Sequence, residues 1–137
     1  MKKSMIVLLF VFAISTFSAN MVFAGEPIEG VDVMLGKNPG GSIVFKGQTG
    51  RDGKFACNLE KGNYELQLSF DQIQRVLIAK NKKYASNPKG CKIELIFEGD
   101  TANVKVPAKV LINKETGPIK IAVAKKSGIG FMLMLSF

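Results

Sequence analysis

The sequence predicts a mainly β fold, an antiparallel β-sandwich of the immunoglobulin-like or prealbumin-like type with one helical crossover. Apolar and polar residues alternate through most of the chain after residue 25, which is the period of a half-buried strand. Turns rich in Gly, Asn, Asp and Pro separate these runs. A single segment, in the middle of the chain, has the spacing of a helix.

The first 24 residues are expected to be a secretory signal peptide. Two lysines precede an apolar run from residue 5 to residue 17, and small residues precede the predicted cleavage after Ala24. A transmembrane anchor is the weaker interpretation, because the apolar run is shorter than the roughly 20 residues that span a bilayer. We therefore expect a periplasmic or secreted mature chain that starts at Gly25 and has no transmembrane segment.

Residues 25–137 are expected to form one domain, large enough for one hydrophobic core but not for two. Two of the 19 basic residues lie in the leader, so 17 remain against 11 acidic residues, a net charge of +6. That balance favours contact with anionic surfaces. Histidine is absent, which removes the commonest general base and the commonest metal ligand. The composition therefore disfavours metalloenzymes and catalytic triads, and we expect no cofactor or metal.

The first strands follow from period-two alternation and the turns between them. Val31, Val33 and Leu35 share one face of the first strand, which a turn at residues 38–41 closes. A second strand is predicted from residue 43 to residue 48, and residues 49–53 turn the chain again. In the third strand Phe55 and Cys57 point the same way. The clearest core-facing row of the sequence then follows: Tyr64, Leu66, Leu68 and Phe70.

The helical segment is predicted from Asp71 to about Ala85. Its apolar residues recur at spacings of three and four: Ile73, Val76, Leu77 and Tyr84. Asp71 is expected to cap the first turn, with Gln74 as the reciprocal partner. Residues 87–90 should end the helix. The chain is therefore expected to cross between the sheets through this segment.

Alternation resumes after the helix, with an inward row formed by Cys91, Ile93, Leu95 and Phe97. Further strands are predicted around residues 104–106, 110–112 and 119–123, with turn chemistry at residues 113–118. A hairpin through residues 125–128 is expected to lead into the last strand. That strand, from residue 129 to residue 137, is apolar on both faces, and we therefore expect it to be central rather than at an edge.

The turn at residues 49–53 and the strands after it carry a family resemblance. Thr49-Gly50-Arg51-Asp52-Gly53-Lys54-Phe55, followed by Leu59-Glu60-Lys61-Gly62-Asn63-Tyr64-Glu65-Leu66, resembles the T-x-x-D-G-x-F and L-x-x-G-x-Y-x-L pattern of carboxypeptidase-regulatory-like, or transthyretin-like, β-sandwich domains. Asp52-Gly53 and Gly62 should supply positive backbone angles for tight turns. Phe55, Leu59, Tyr64 and Leu66 should fill the core. The resemblance covers about a third of the mature chain and implies architecture rather than chemistry.

Two activities known in similar sandwiches are not expected here. The transthyretin-like family includes a purine-pathway hydrolase that relies on histidines, and this chain has none. Related surface-adhesin repeats form a Lys–Asn isopeptide bond with the help of a carboxylate, but Gln67 stands where such repeats place a glutamate. The resemblance therefore implies neither that hydrolysis nor that crosslink.

Cys57 and Cys91 are predicted to form a disulfide. Both lie on inward rows of a chain that is expected to reach a compartment where disulfides persist. Closing this loop would stabilise the fold by about 4 kcal/mol in the chain-entropy description. The alternative is two separate buried thiols, since free cysteine is a common core residue.

The only local charge cluster contains five lysines and one aromatic residue: Lys80, Lys82, Lys83, Tyr84, Lys89 and Lys92. As a functional feature it predicts a docking patch for an anionic glycan, a lipid phosphate or an acidic protein. Alternatively, these cations complement the dipole at a helix C-terminus and keep the surface soluble. Nucleic acid is not an expected partner, because the chain leaves the cytoplasm.

Carboxylates give a weak signal for acid–base catalysis. Glu94 with Glu98, and Asp52 with Glu60, could be paired acids, but outward-facing acids occur on alternating strands by default. The sequence offers no nucleophile with an adjacent base, and so we expect no enzyme activity.

We therefore expect an exported, non-catalytic binding or structural module of a bacterial-type cell envelope. Its partner would be an envelope protein or glycan, and contact with a membrane surface is compatible with its charge. Two alternatives remain open. A pilus-like or assembly subunit that exchanges strands is suggested by the apolar last strand, and a small hydrolase is the other class.

Overall fold

The computed structural model describes residues 25–137, and the predicted signal peptide lies outside the described residues. Two antiparallel sheets enclose one hydrophobic core, so the predicted β-sandwich is confirmed. Residues 25–137 contain ten strands: β1 (Glu26–Pro27), β2 (Asp32–Lys37), β3 (Ile43–Gln48), β4 (Lys54–Leu59), β5 (Gly62–Leu68), β6 (Lys92–Gly99), β7 (Val104–Lys105), β8 (Lys109–Ile112), β9 (Ile119–Val123) and β10 (Ser127–Ser136).

The first sheet is built around β10. One edge of β10 pairs with β6, which in turn pairs with β8. Its other edge pairs with β4 over residues 127–132 and with β1 over residues 134–135. The second sheet has the order β3-β2-β5-β9-β7. Every pairing in both sheets is antiparallel.

The last strand is central, as its composition predicts. Its inward residues Phe131, Leu133 and Leu135 are almost wholly buried, and Met132 and Met134 on the opposite face are buried as well. A strand that buries both faces and pairs along both edges exposes little backbone or side chain to water. The inner faces of the other strands complete the core as predicted, with rows that include Val33 and Leu35, Tyr64 and Leu66, Ile93 and Leu95, and Ile119, Ile121 and Val123.

The turn at residues 49–53 carries the chain from one sheet to the other, because β3 belongs to the second sheet and β4 to the first. Gly53 has a φ of +74° and Gly62 one of +153°. Within residues 25–137 no residue other than glycine has a positive φ, so Asp52 does not share this role. Asp52 instead accepts a hydrogen bond from the Lys54 backbone N–H through Oδ1 at 3.0 Å. The prediction is thus correct for the glycines and wrong for Asp52.

The hairpin predicted at residues 125–128 is wrong. β9 pairs with β5 and β7 in the second sheet, whereas β10 pairs within the first. This connection therefore crosses between the layers. Alternation shows which face of a strand is buried, but it does not show which strand is its neighbour.

The crossover between β5 and β6 is helical, as predicted, but it consists of two helices. Helix α1 spans Phe70–Lys80, helix α2 spans Lys82–Ser86, and a 3₁₀ turn covers Pro88–Gly90. Phe70 therefore begins a helix and does not extend the strand row of β5. The cap of α1 is Ser69 and not Asp71: Ser69 Oγ accepts a hydrogen bond from the Gln72 N–H at 3.2 Å.

Candidate functional site

The predicted lysine cluster lies on the helical connection between β5 and β6. Lys80 ends α1, Lys82 and Lys83 open α2, Lys89 lies in the 3₁₀ turn, and Lys92 starts β6. All five are exposed, and we call them the lysine patch. From residue 72 to residue 93 the chain has six basic residues and no acidic one. The segment therefore presents a positive charge that no acidic residue within it offsets.

Asn81 explains why this segment bends. Its backbone N–H donates to Leu77 O at 2.8 Å as α1 ends, and its side-chain Oδ1 accepts from the Tyr84 N–H at 2.9 Å as α2 begins. Its Nδ2 also donates to Glu26 Oε1 at 3.0 Å, which ties the bend to β1. An Asn at this position competes with helix hydrogen bonding and starts a new helix. The extended backbone of Asn81, with φ −124° and ψ 108°, thus separates α1 from α2.

Tyr84 does not belong to the exposed patch, which corrects the prediction. The residue is 2% exposed and packs in the hydrophobic core, where its hydroxyl accepts a hydrogen bond from Gln74 Nε2 at 3.2 Å. Tyr84 anchors α2 to the domain and leaves the neighbouring lysines outside. The helical spacing indicated this burial, whereas the charge cluster suggested exposure.

Phe137 lies beside the patch, which the sequence did not indicate. Lys83 Nζ lies 4.5 Å from the centre of the Phe137 ring, a cation–π distance, and Phe137 is 48% exposed. Ser136, its neighbour in sequence, pairs with Lys92 in β6. The fold thus brings Lys83, Lys92 and an exposed aromatic ring together. Lys80 points elsewhere, because its ammonium group lies near Gly30 in the connection between β1 and β2.

Three lysines outside the patch have acidic partners. Lys54, Lys109 and Lys126 form salt bridges with glutamates at 3.5, 2.9 and 3.4 Å. In the part of the chain that the structure describes, no salt bridge includes a patch lysine. The ammonium groups of the patch therefore remain available to an external anion.

The predicted disulfide is not formed, and both cysteines are free thiols. Cys57 pairs with Ile129 near the start of β10, and Lys92, next to Cys91, pairs with Ser136 at its end. At about 3.3 Å per residue these points are about 23 Å apart along β10. A disulfide needs Cα atoms within about 7 Å. Both residues lie against the core, but at opposite ends of the sheet.

We expect two thiols per chain when the denatured protein is titrated without reductant. Burial raises the pKa of the Cys57 thiol above its ordinary value, so that less thiolate forms at a given pH. In a Cys91→Ser variant, alkylation of Cys57 by iodoacetamide should be slower in the folded than in the denatured protein at pH 8. Denatured protein without titratable thiols would contradict the separation of the two cysteines.

The two carboxylate pairs considered from the sequence do not form a shared site. Glu94 and Glu98 are four residues apart on β6, about 13 Å, and each forms a salt bridge with a different lysine. Asp52 is engaged in its own turn, and Glu60 contacts Lys126. These acids have structural partners, and none of the five best-formed cavities in residues 25–137 holds both acids of a pair.

A polar cleft between the second sheet and α1 was not predicted. Its floor is a row across three strands, because Met34 of β2 pairs with Lys46 of β3 and with Gln67 of β5. Its wall is the start of α1, from Ser69 to Arg75. The cavity has a volume of about 490 Å³, and we call it the sheet–helix cleft. Strand pairing places Lys46 and Gln67 on either side of Met34, and no sequence signal placed Arg75 beside them.

The described residues lack two features that are common in other functional classes. No cluster of three or more Cys, Asp and Glu side chains in residues 25–137 could hold a metal ion. Neither α1 nor α2 has the length and apolar character of a membrane-spanning helix.

Comparisons with protein-family models, with curated proteins and with solved structures found no match to this chain.

Proposed function

We propose that this protein is an exported, non-catalytic binding module of the cell envelope that holds an anionic envelope component on its lysine patch. The observation that carries the proposal is the clustering of five exposed lysines on one connection, where no acidic residue lies between residues 72 and 93 and Lys83 contacts the exposed ring of Phe137. Apolar residues near the N-terminus support export. The resemblance to transthyretin-like domains supports a scaffold role, with binding at the surface.

The shape of the patch favours an extended partner over a small ligand. The five best-formed cavities in residues 25–137 lie elsewhere, and none of these five has a patch lysine in its wall. Small ligands are usually held in concave sites, whereas an anionic polymer or surface can contact several exposed cations at once. We therefore propose a polyanionic glycan or another extended anionic envelope component as the partner.

Strand exchange with other subunits has less support. The apolar strand that suggested it, β10, is already paired along both edges. The edge strand β3 exposes Ile43 and Val44, but a register shift makes Val44 the extra residue of a β-bulge, and Lys46 follows it. A bulge and a lysine on an edge strand both disfavour pairing with another chain.

Reversing three patch charges should abolish most binding to a polyanion. We expect a Lys82→Glu, Lys83→Glu, Lys92→Glu variant to bind heparin at least about 100-fold more weakly, since each lysine contact contributes roughly 1 kcal/mol. Affinity chromatography on heparin with a salt gradient, followed by titration at fixed ionic strength, measures the change.

The matched control reverses three exposed lysines outside the patch: Lys105, Lys114 and Lys125. This variant has the same net charge as the patch variant, and so it separates a local site from general attraction. An equal loss of heparin binding in both variants would contradict the proposal. Capture of anionic envelope polymers from extracts by the wild type and the control, but not by the patch variant, would extend the result to the natural partner.

A further inference from the structure

Three side chains with hydrogen-bond donors in the sheet–helix cleft have no partner among residues 25–137. Within residues 25–137, Lys46 and Arg75 form no salt bridge, and the side chain of Gln67 forms no hydrogen bond. All three line the same cavity. Two other residues of the cleft are held by hydrogen bonds: Gln72 Oε1 accepts from the Asp32 N–H at 3.0 Å, and Ser69 Oγ caps α1. Unpaired donors that project from a sheet and from a capped helix are well placed to bind a ligand.

We propose that the sheet–helix cleft binds a small polyhydroxylated carboxylate, such as a single uronic acid residue. Two cations, Lys46 and Arg75, and one acid, Asp32, line the cleft, so its side chains carry a net charge of +1. A ligand with one negative charge balances this total. The guanidinium group of Arg75 can hold a carboxylate with two parallel hydrogen bonds, and Lys46 adds a point charge.

Asp32 is the reason why we expect the ligand to carry hydroxyl groups. Its Oδ1 accepts a hydrogen bond from Gln48 Nε2 at 2.7 Å, while its Oδ2 accepts none from the described residues. That oxygen can accept from a ligand hydroxyl, and the amide of Gln67 can both donate and accept. A simple carboxylate would leave these groups without partners, and a dianion would add repulsion from Asp32.

The size and the floor of the cleft agree with a sugar ring. A volume of about 490 Å³ lies within the range of about 300–1,000 Å³ that is usual for small-molecule sites. Met34 and Leu68 add apolar surface between the polar groups. The carbon face of a ring can pack on them while its hydroxyl groups reach the polar rim.

Glucuronate is the probe for this site, with NMR of the isotope-labelled protein as the readout. We expect saturable shifts of the amide signals of residues 32–34, 46, 67 and 72–75 at millimolar concentrations. Glucose lacks the charge and acetate lacks the hydroxyl groups, so each should bind at least about tenfold more weakly. Sulfate should not reproduce the effect, because it offers a charge without hydroxyl donors to Asp32.

Variants then identify the groups that bind. Arg75→Gln and Lys46→Gln should each weaken glucuronate binding by about 10-fold to 100-fold, the range for one charge-assisted hydrogen bond. Lys120→Gln is the matched control, because Lys120 is exposed on β9 of the same sheet but lies outside the cleft. Thermal unfolding of each variant verifies that the fold is retained.

The lysine-patch variant Lys82→Glu, Lys83→Glu, Lys92→Glu should keep glucuronate binding, which separates this site from the proposed function. Shifts that cluster at residues 80–92 would overturn the cleft and still support the patch. Equal binding of glucuronate and acetate, or no saturable shift at the cleft residues, would also overturn the proposal.

Discussion

Replacing Gly53 with alanine is expected to destabilise the protein by about 2–5 kcal/mol. Two costs combine at this position. Gly53 has a φ of +74°, where an L-residue costs about 1–2 kcal/mol. A Cβ built on Gly53 would also lie 2.6 Å from Leu133 O and 3.0 Å from the Pro27 Cβ, and forcing atoms into packed space costs about 1–3 kcal/mol.

Two backbone hydrogen bonds hold Gly53 in place, so the chain cannot easily move an added Cβ away from Leu133 O. Its carbonyl accepts a hydrogen bond from the Leu133 N–H at 2.8 Å, and its N–H donates to Gly50 O at 2.9 Å. Leu133 lies in the central strand and is fully buried. Moving Gly53 away from it would disturb both the turn and β10.

Gly41 provides the matched control, because it has the same φ of +74° but a Cβ added there would meet no atom within 4 Å. Gly41→Ala should therefore cost only the conformational part, about 1–2 kcal/mol. Urea denaturation of both variants and the wild type gives the two free energies of unfolding. Equal losses in the two variants would show that the close approach of Gly53 to β10 contributes nothing.

Replacing Thr49 with valine is expected to lower the free energy of unfolding by about 2–6 kcal/mol. Thr49 is 3% exposed and is the only buried polar or charged residue of those described. Its Oγ1 donates to Ile28 O at 2.7 Å and accepts from the Val31 N–H at 3.0 Å. Valine keeps the shape but leaves two buried backbone groups without partners, and each such group costs about 1–3 kcal/mol.

The Thr49→Val substitution should also weaken the local structure of residues 28–31. The Thr49 backbone also bonds the same segment, with its N–H donating to Val31 O at 3.0 Å and its carbonyl accepting from the Gly30 N–H at 2.9 Å. Thr49 thus attaches the connection between β1 and β2 to the end of β3. Faster amide hydrogen exchange of residues 28–31 should accompany the lower free energy of unfolding.

Thr49→Ser is the control for this prediction. Serine retains the hydroxyl group and both hydrogen bonds, and it removes only a methyl group worth about 1 kcal/mol. If the serine and valine variants have the same free energy of unfolding, the hydroxyl is not the stabilising group.

Both residues belong to the motif that suggested the fold family, and their contacts show why such a motif holds structural residues. Thr49 satisfies buried backbone, Gly53 permits a close approach to the central strand, and Phe55 stacks on Phe131 with ring centres 5.3 Å apart. None of the three contributes to the lysine patch or to the sheet–helix cleft. The motif therefore indicates how the chain folds, and the function must be sought on other surfaces.

Local patterns predicted the elements and the buried faces well. The row of β5, the central position of β10 and the helical crossover all follow from residue spacing, because burial imposes a period of two on strands and one near 3.6 on helices. The lysine patch was also predicted, since its members are close in sequence. Local hydrogen-bonding alternatives were harder to predict: Ser69 rather than Asp71 caps α1, and Asn81 divides the helix.

The sequence by itself determined the sandwich, its core-facing residues and the positive charge of the crossover. Only the tertiary structure decided which strands are neighbours and that Cys57 and Cys91 lie at opposite ends of β10. It also decided that Phe137 lies beside Lys83 and that Arg75 lines the same cleft as Lys46 and Gln67. The physical reason is that spacing encodes the direction of a side chain within its own element. Its position relative to other elements depends on strand register and on packing between distant parts of the chain.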